Sequence, residues 1–183
     1  LVLFFGFILP LLQILYWISY SFNEIDVSFI AELIMSSFSI ALISAIIIII
    51  FTINITFITR MTKNIFINLS TKIFSLGYSI PGVVLAVGVI TPITYMENSF
   101  SELLNYPPET ILTGTFVLLV IAYLVRFSTI SIKTMESGFN KISKNYDLLS
   151  SSFGYSKIQT LFKIHVPILL PTIYSALILL FVD

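Results

Sequence analysis

The chain has 183 residues, of which 57% are hydrophobic and only 10% charged, with a mean hydropathy of +1.05 and a formal net charge of zero. Soluble domains carry roughly 25% charged residues, so the composition excludes an ordinary soluble enzyme and calls for a polytopic membrane protein. Zero net charge offers nothing to nucleic acid, and the lack of cysteine removes any disulfide framework or thiolate metal site.

The expected fold is an all-α membrane helix bundle of about five spans, with a leading span and outer connector over 1–32 and the main bundle over 33–183. Leu1 is not an initiating methionine and no basic region precedes the first apolar stretch. The chain therefore reads as a piece of a longer protein rather than one led by a signal peptide. The first span covers about 1–20, with Pro10 inside it and Tyr16, Trp17 and Tyr20 at its far end, where amphipathic rings favour the membrane boundary. The connector after it holds Glu24, Asp26 and Glu32 and no basic residue. A second span over 33–57 carries Ser37, Ala41 and Ala45 at four-residue spacing, which lets another helix approach closely.

Arg60 and Lys63 follow, and 64–75 reads as an amphipathic lead-in with Lys72 near the interface. Pro81 and Gly82 then bend or interrupt the third span. Broken helices line substrate paths in transporters, although a kink used only for packing is the plainer reading. Gly82 and Ala86 form a second small-residue pair. Another connector has Glu97, Glu102 and Glu109 without Lys or Arg. The fourth span is expected over 111–130, with Arg126 snorkelling at its end.

The stretch from Asn145 to Pro171 is neither a span nor a short connector. It reads as two short amphipathic helices broken at Gly154, a residue free to take the left-handed conformation that closes a helix. Leu149 and Phe153 stand one turn apart on the first, and Ile158, Leu161 and Phe162 share a face on the second. Ser156 followed by Gln159 is a capping-box pattern that starts the second helix at Lys157. Such a pair lies on lipid or docks into a partner. All nine Lys and Arg residues fall on alternate connectors or at span ends beside them, so 60–72 and 131–165 are expected to face the cytoplasm. That orientation favours a cytoplasmic protein partner, with a basic helix on anionic lipid as the alternative.

The spacing of Gly154, Pro167 and Pro171 resembles the cytoplasmic "EAA" loop of permeases in ATP-binding-cassette importers, of the form E-A-A-x-x-x-G followed by I/V-x-x-P. Leu148, Leu149 and Ser150 stand where that loop has Glu-Ala-Ala, and Asp147 lies one residue earlier, so the acid is displaced and both alanines are missing. GYSIPGVVLAVG and YLVRFSTISIKTMESGFNKIS are similar to the third span and the loop approach of ferric-iron-type permeases. The similarity runs from about Ser37 to the closing FVD, as in the second half of a fused permease lacking its last helix, and the final span over 168–183 is short accordingly. The resemblance implies a bacterial cytoplasmic-membrane importer whose 145–167 loop docks an ATPase subunit. It further implies a second permease domain, an outer substrate-binding protein and an iron cargo, with thiamine, a polyamine or a sulfate-type anion as other cargoes.

No enzyme site is legible. His165 is the only histidine and reads as an ordinary interfacial residue; GYSIP lacks the second glycine of a nucleophile turn, and no phosphate-binding glycine loop is present. No cofactor and no metal ligand set is expected in the chain. Asp183 is the one carboxylate within an apolar run, a pathway candidate beside Pro81 and Gly82. The rival to an importer subunit is a receptor or assembly factor whose loop binds lipid.

Overall fold

A computed structural model describes residues 2–21, 26–62, 64–104 and 114–183. Helices make up nearly all of it, and no strand occurs among the described residues, as the all-α expectation requires. A π-helical turn, Phe4–Ile8, runs into α1, Leu9–Ser21; α2 is Val27–Met61 and α3 is Ile65–Phe74. A 3-10 turn, Gly77–Ser79, precedes α4, Gly82–Leu104, and α5 is Phe116–Lys141. After α6, Asn145–Ser152, the short α7, Lys157–Thr160, continues through a π-helical turn, Leu161–His165, into α8, Val166–Val182.

Four helices are long and apolar enough to cross a membrane: Val27–Met61, Gly82–Leu103, Phe116–Lys141 and Lys157–Val182. The expected first span is present as a shorter apolar helix, Phe4–Tyr20. Two compact units are distinguished, Leu1–Phe38 and Ser39–Asp183. In the first, Asp26 starts α2 by accepting from the Ser28 N–H at 2.9 Å, the Ser28 hydroxyl at 2.5 Å and the Phe29 N–H at 3.2 Å. Those bonds, the Ser28 hydroxyl foremost, hold its carboxyl below the usual range.

In the second unit the core is built by one face each of α2, α5 and α8. Ala45, Ile48, Ile53 and Phe57 meet Met135 and Phe139, and Leu169, Ala176 and Leu180 close the cluster. Gly138 lets α5 and α8 meet closely, since a Cβ there would stand 2.8 Å from Leu169 Cδ2 and Thr172 Cγ2. Hydroxyls link the helices where lipid offers no hydrogen-bond partner. Thr52 and Ser131 pair at 2.6 Å between α2 and α5, and Thr59 and Thr71 at 2.9 Å between α2 and α3.

The chain breaks before α4 as the Pro81–Gly82 pair predicts, and α5 holds the break. The Thr129 hydroxyl donates to the Phe74 carbonyl and accepts from the Tyr78 N–H, both at 3.1 Å. Gly77 is required there, because a Cβ would collide with the Val125 carbonyl. Little of α4 is covered: 6% of its apolar window is buried.

Several predicted boundaries move. The acidic stretches 27–32 and 96–104 are helical extensions of α2 and α4 rather than connectors, while Glu24, Lys63, Glu109 and 111–113 lie outside the described residues. Arg126 is not at a span end: it is the eleventh residue of the 26-residue α5. The last span does not begin at 168. Its helix starts at Lys157 and runs through the π-helical turn into α8, with Pro167 near the start of α8.

Candidate functional site

The loop 145–167 is a helix pair closed by local chemistry that the sequence announces. α6 ends in a Schellman motif: the Tyr155 N–H donates to the Ser150 carbonyl and the Gly154 N–H to the Ser151 carbonyl, both at 3.0 Å. Gly154 takes φ +74°, the left-handed conformation that this motif demands. The capping box is complete, with Ser156 N–H to Gln159 Oε1 at 2.9 Å and Gln159 N–H to Ser156 Oγ at 3.3 Å. Buried Thr160 donates to buried Ser150 at 3.1 Å and so ties α7 to α6.

Under the pair lies an ion cluster. Asp147, in the first turn of α6, accepts from Arg60 Nη2 at 2.8 Å and Nε at 3.1 Å, and its other oxygen stands 2.7 Å from His165 Nε2. A carboxylate only accepts, so Nε2 carries the shared proton. Arg60 also donates to the carbonyls of Phe139 at 2.5 Å, which accepts from the Ile142 N–H as well, and Ile142 at 2.9 Å, tying the end of α2 to the end of α5. His165 is fully buried between the rings of Phe57 and Phe139, at 5.5 and 5.6 Å. One carboxylate thereby fastens the end of α2, the end of α5 and the entry to α8 to the start of α6.

The predicted site residues separate into two sets. Leu148, Leu149, Phe153, Ile158 and Phe162 are exposed, with Phe153 77% accessible. Leu161 is not on their face: it is 3% exposed and packs in the core, about 100° round the helix from exposed Phe162. Asp147 also points inward, with its side chain 18% exposed. Leu149 and Phe153 line a groove of about 480 Å³ with Tyr155, Ile164, Pro167 and Ile168, and Lys163 stands 5.0 Å from the Tyr155 ring centroid. Pro171 is exposed on α8, away from this groove.

Gly82 faces Arg126, whose guanidinium a Cβ would strike, while Pro81 marks the break itself. Asp183 lines a cavity of about 180 Å³ together with Ser44 and Tyr123. His165, taken from the sequence as an ordinary interfacial residue, is instead a buried partner of Asp147, and Arg60 was missed altogether. A signal was present. Asp147 is the only acid between Glu136 and Asp183, so a cation at a neighbouring helix end was its natural partner.

A family model described as binding-protein-dependent transport system inner membrane component matches residues 56–183, which include the whole helix pair and its ion cluster. No curated protein and no solved structure matches the chain.

Proposed function

The chain belongs to the inner membrane components of binding-protein-dependent transport systems, and from that premise we propose that loop 145–167 couples its bundle to a cytoplasmic ATPase. The family makes it a multi-pass inner-membrane permease subunit of a type I ATP-binding-cassette importer, a transport component that works with an ATPase and a substrate-binding protein. The observation that carries the coupling proposal is the exposed apolar ridge of Leu148, Leu149, Phe153, Ile158 and Phe162, standing on a helix pair whose base is locked into the bundle. Exposed apolar side chains on a rigid base fit a protein groove. The clustering of Lys141, Lys144, Lys157 and Lys163 around the loop supports a cytoplasmic orientation.

A second permease domain, fused or separate, completes the pathway, with the break at Pro81–Gly82 as one wall. The cargo we propose is ferric iron carried with a small chelating anion, following the resemblance of GYSIPGVVLAVG. Stimulation of the reconstituted importer by thiamine, a polyamine or sulfate instead would keep the permease and discard iron.

Gly154 gives the direct test. At φ +74° any side chain adds roughly 1 kcal/mol of strain, and a carboxylate must also be stripped of water against a partner. Gly154→Asp should leave the spans inserted and abolish substrate-stimulated ATP hydrolysis in proteoliposomes. If the loop serves only to bind lipid, the variant loses surface attachment and keeps ATP turnover and transport coupled.

A further inference from the structure

We propose that α5 carries an anion track: a basic stripe of Arg126, Lys133 and Lys141 that passes a negatively charged cargo, an oxyanion or an anionic metal chelate, toward the end of the bundle that bears the loop. The word cargo rests on the importer reading; the anion site does not.

Seven residues separate Arg126 from Lys133, which brings them within about 20° of one helix face. Lys133 and Lys141 then line a groove of about 450 Å³ between α5 and α8, shared with the hydroxyl residues Thr134, Ser137, Thr172 and Ser175. No lining residue of that groove is acidic. Lys141 is about 80° round the helix from Lys133, while Glu136, the one acid of α5, lies about 60° the other way and does not line the groove. None of the three cations forms an ion pair among the described residues.

Arg126 sets the upper end. Thirteen residues separate it from Phe139, whose carbonyl takes the Arg60 hydrogen bond, so it stands about 20 Å along α5 from that clamp. Its guanidinium lies 5.6 Å from the Phe127 ring and 6.0 Å from the Tyr78 ring, contacts that hold a cation without neutralising it. It occupies the space that Gly82 leaves open at the break before α4. An arginine held that deep without a carboxylate marks an ion pathway, and the countercharge it lacks is one that an anion supplies. The same three charges repel a bare metal cation or a polyamine. Among the described residues no group of three His, Asp or Glu stands ready to ligate one.

The chain has no cysteine, so single cysteines report the local potential. Ser137→Cys in the stripe and Asn98→Cys on α4 are placed in the assembled transporter, in nanodiscs of neutral lipid. Each is reacted with anionic methanethiosulfonate ethylsulfonate and with its cationic trimethylammonium counterpart. Relative to Asn98→Cys, Ser137→Cys should favour the anionic reagent by on the order of tenfold or more. Lys133→Gln, on the exposed part of the stripe, and Arg126→Gln should each reduce that preference. Equal rates, a cationic preference, or no reaction at Ser137→Cys while Asn98→Cys reacts would overturn the track. Loss of the preference, relative to Asn98→Cys, when phosphatidylglycerol is added would assign the stripe to lipid headgroups and overturn the cargo role. Uncoupling of the ATPase with the preference intact removes the importer reading and keeps the anion site. Coupling without preference removes the track alone.

Discussion

Replacing Asp147 by alanine should loosen the helix pair without unfolding the bundle. The carboxylate takes two bonds from Arg60 and pairs with His165, and the Arg60 and Asp147 side chains are 11% and 18% exposed. Breaking a fully buried pair costs about 3–5 kcal/mol, whereas an exposed one is worth about 1 kcal/mol or less. Arg60 keeps its bonds to the carbonyls of Phe139 and Ile142, which moderates the loss. About 2–3 kcal/mol is therefore expected. Hydrogen exchange reads this directly: the α6 amides should exchange about 30- to 140-fold faster, by the rule of tenfold per 1.4 kcal/mol. The Thr52–Ser131 region of α2 and α5 should change little. A double-mutant cycle of Asp147→Ala with Arg60→Met isolates the pair. Additive effects in that cycle, or unchanged α6 protection, would refute the clamp.

Two further outcomes follow from the packing and the charge pattern. Gly138→Val should drive α5 and α8 apart, because even a Cβ meets Leu169 and Thr172 at 2.8 Å; a loss of about 1–3 kcal/mol in detergent unfolding is expected, and an unchanged midpoint would contradict the close crossing. Single cysteines at Asn98 and Asn145, both exposed, should label from opposite sides of the membrane, and labelling of both from outside intact cells would overturn the proposed orientation.

The parts legible in the sequence were those set by local chemistry. Ser156 and Gln159 cap a helix by their own side chains, Gly154 closes one by its own backbone freedom, and Pro81–Gly82 breaks one by lacking what a helix needs. What stayed hidden depends on distant partners. The inward side of Leu161 is set by the core that α2, α5 and α8 build against it, which spacing within the loop does not show. The burial of His165 requires Phe57 and Phe139, more than a hundred and more than twenty residues away respectively, to fold over it. The fourth span was expected to end at 130, whereas α5 runs on to Lys141, and Ser128, Thr129 and Ser131 were not read as core. They are instead buried hydroxyls, bonded to the Leu124 carbonyl, the Phe74 carbonyl and Thr52.

The displaced acid of the loop has a consequence for how a partner is held. The resemblance puts a glutamate at position 148, where this chain has Leu148, 66% exposed. One residue earlier is about 100° round the helix, which carries the acid of Asp147 from the outer face into the clamp. The outer ridge keeps five large apolar side chains and no carboxylate, flanked by exposed Lys157 and Lys163. Burying each apolar side chain is worth about 1–3 kcal/mol, while a rim lysine contributes about 1 kcal/mol or less. Apolar burial therefore dominates, and ATPase association should weaken by less than about tenfold over an approximately tenfold rise in salt. Leu148→Glu should make the association both weaker and more dependent on salt. A wild-type complex that weakens by more than about a hundredfold over that range would show that charge, not the apolar ridge, holds the partner.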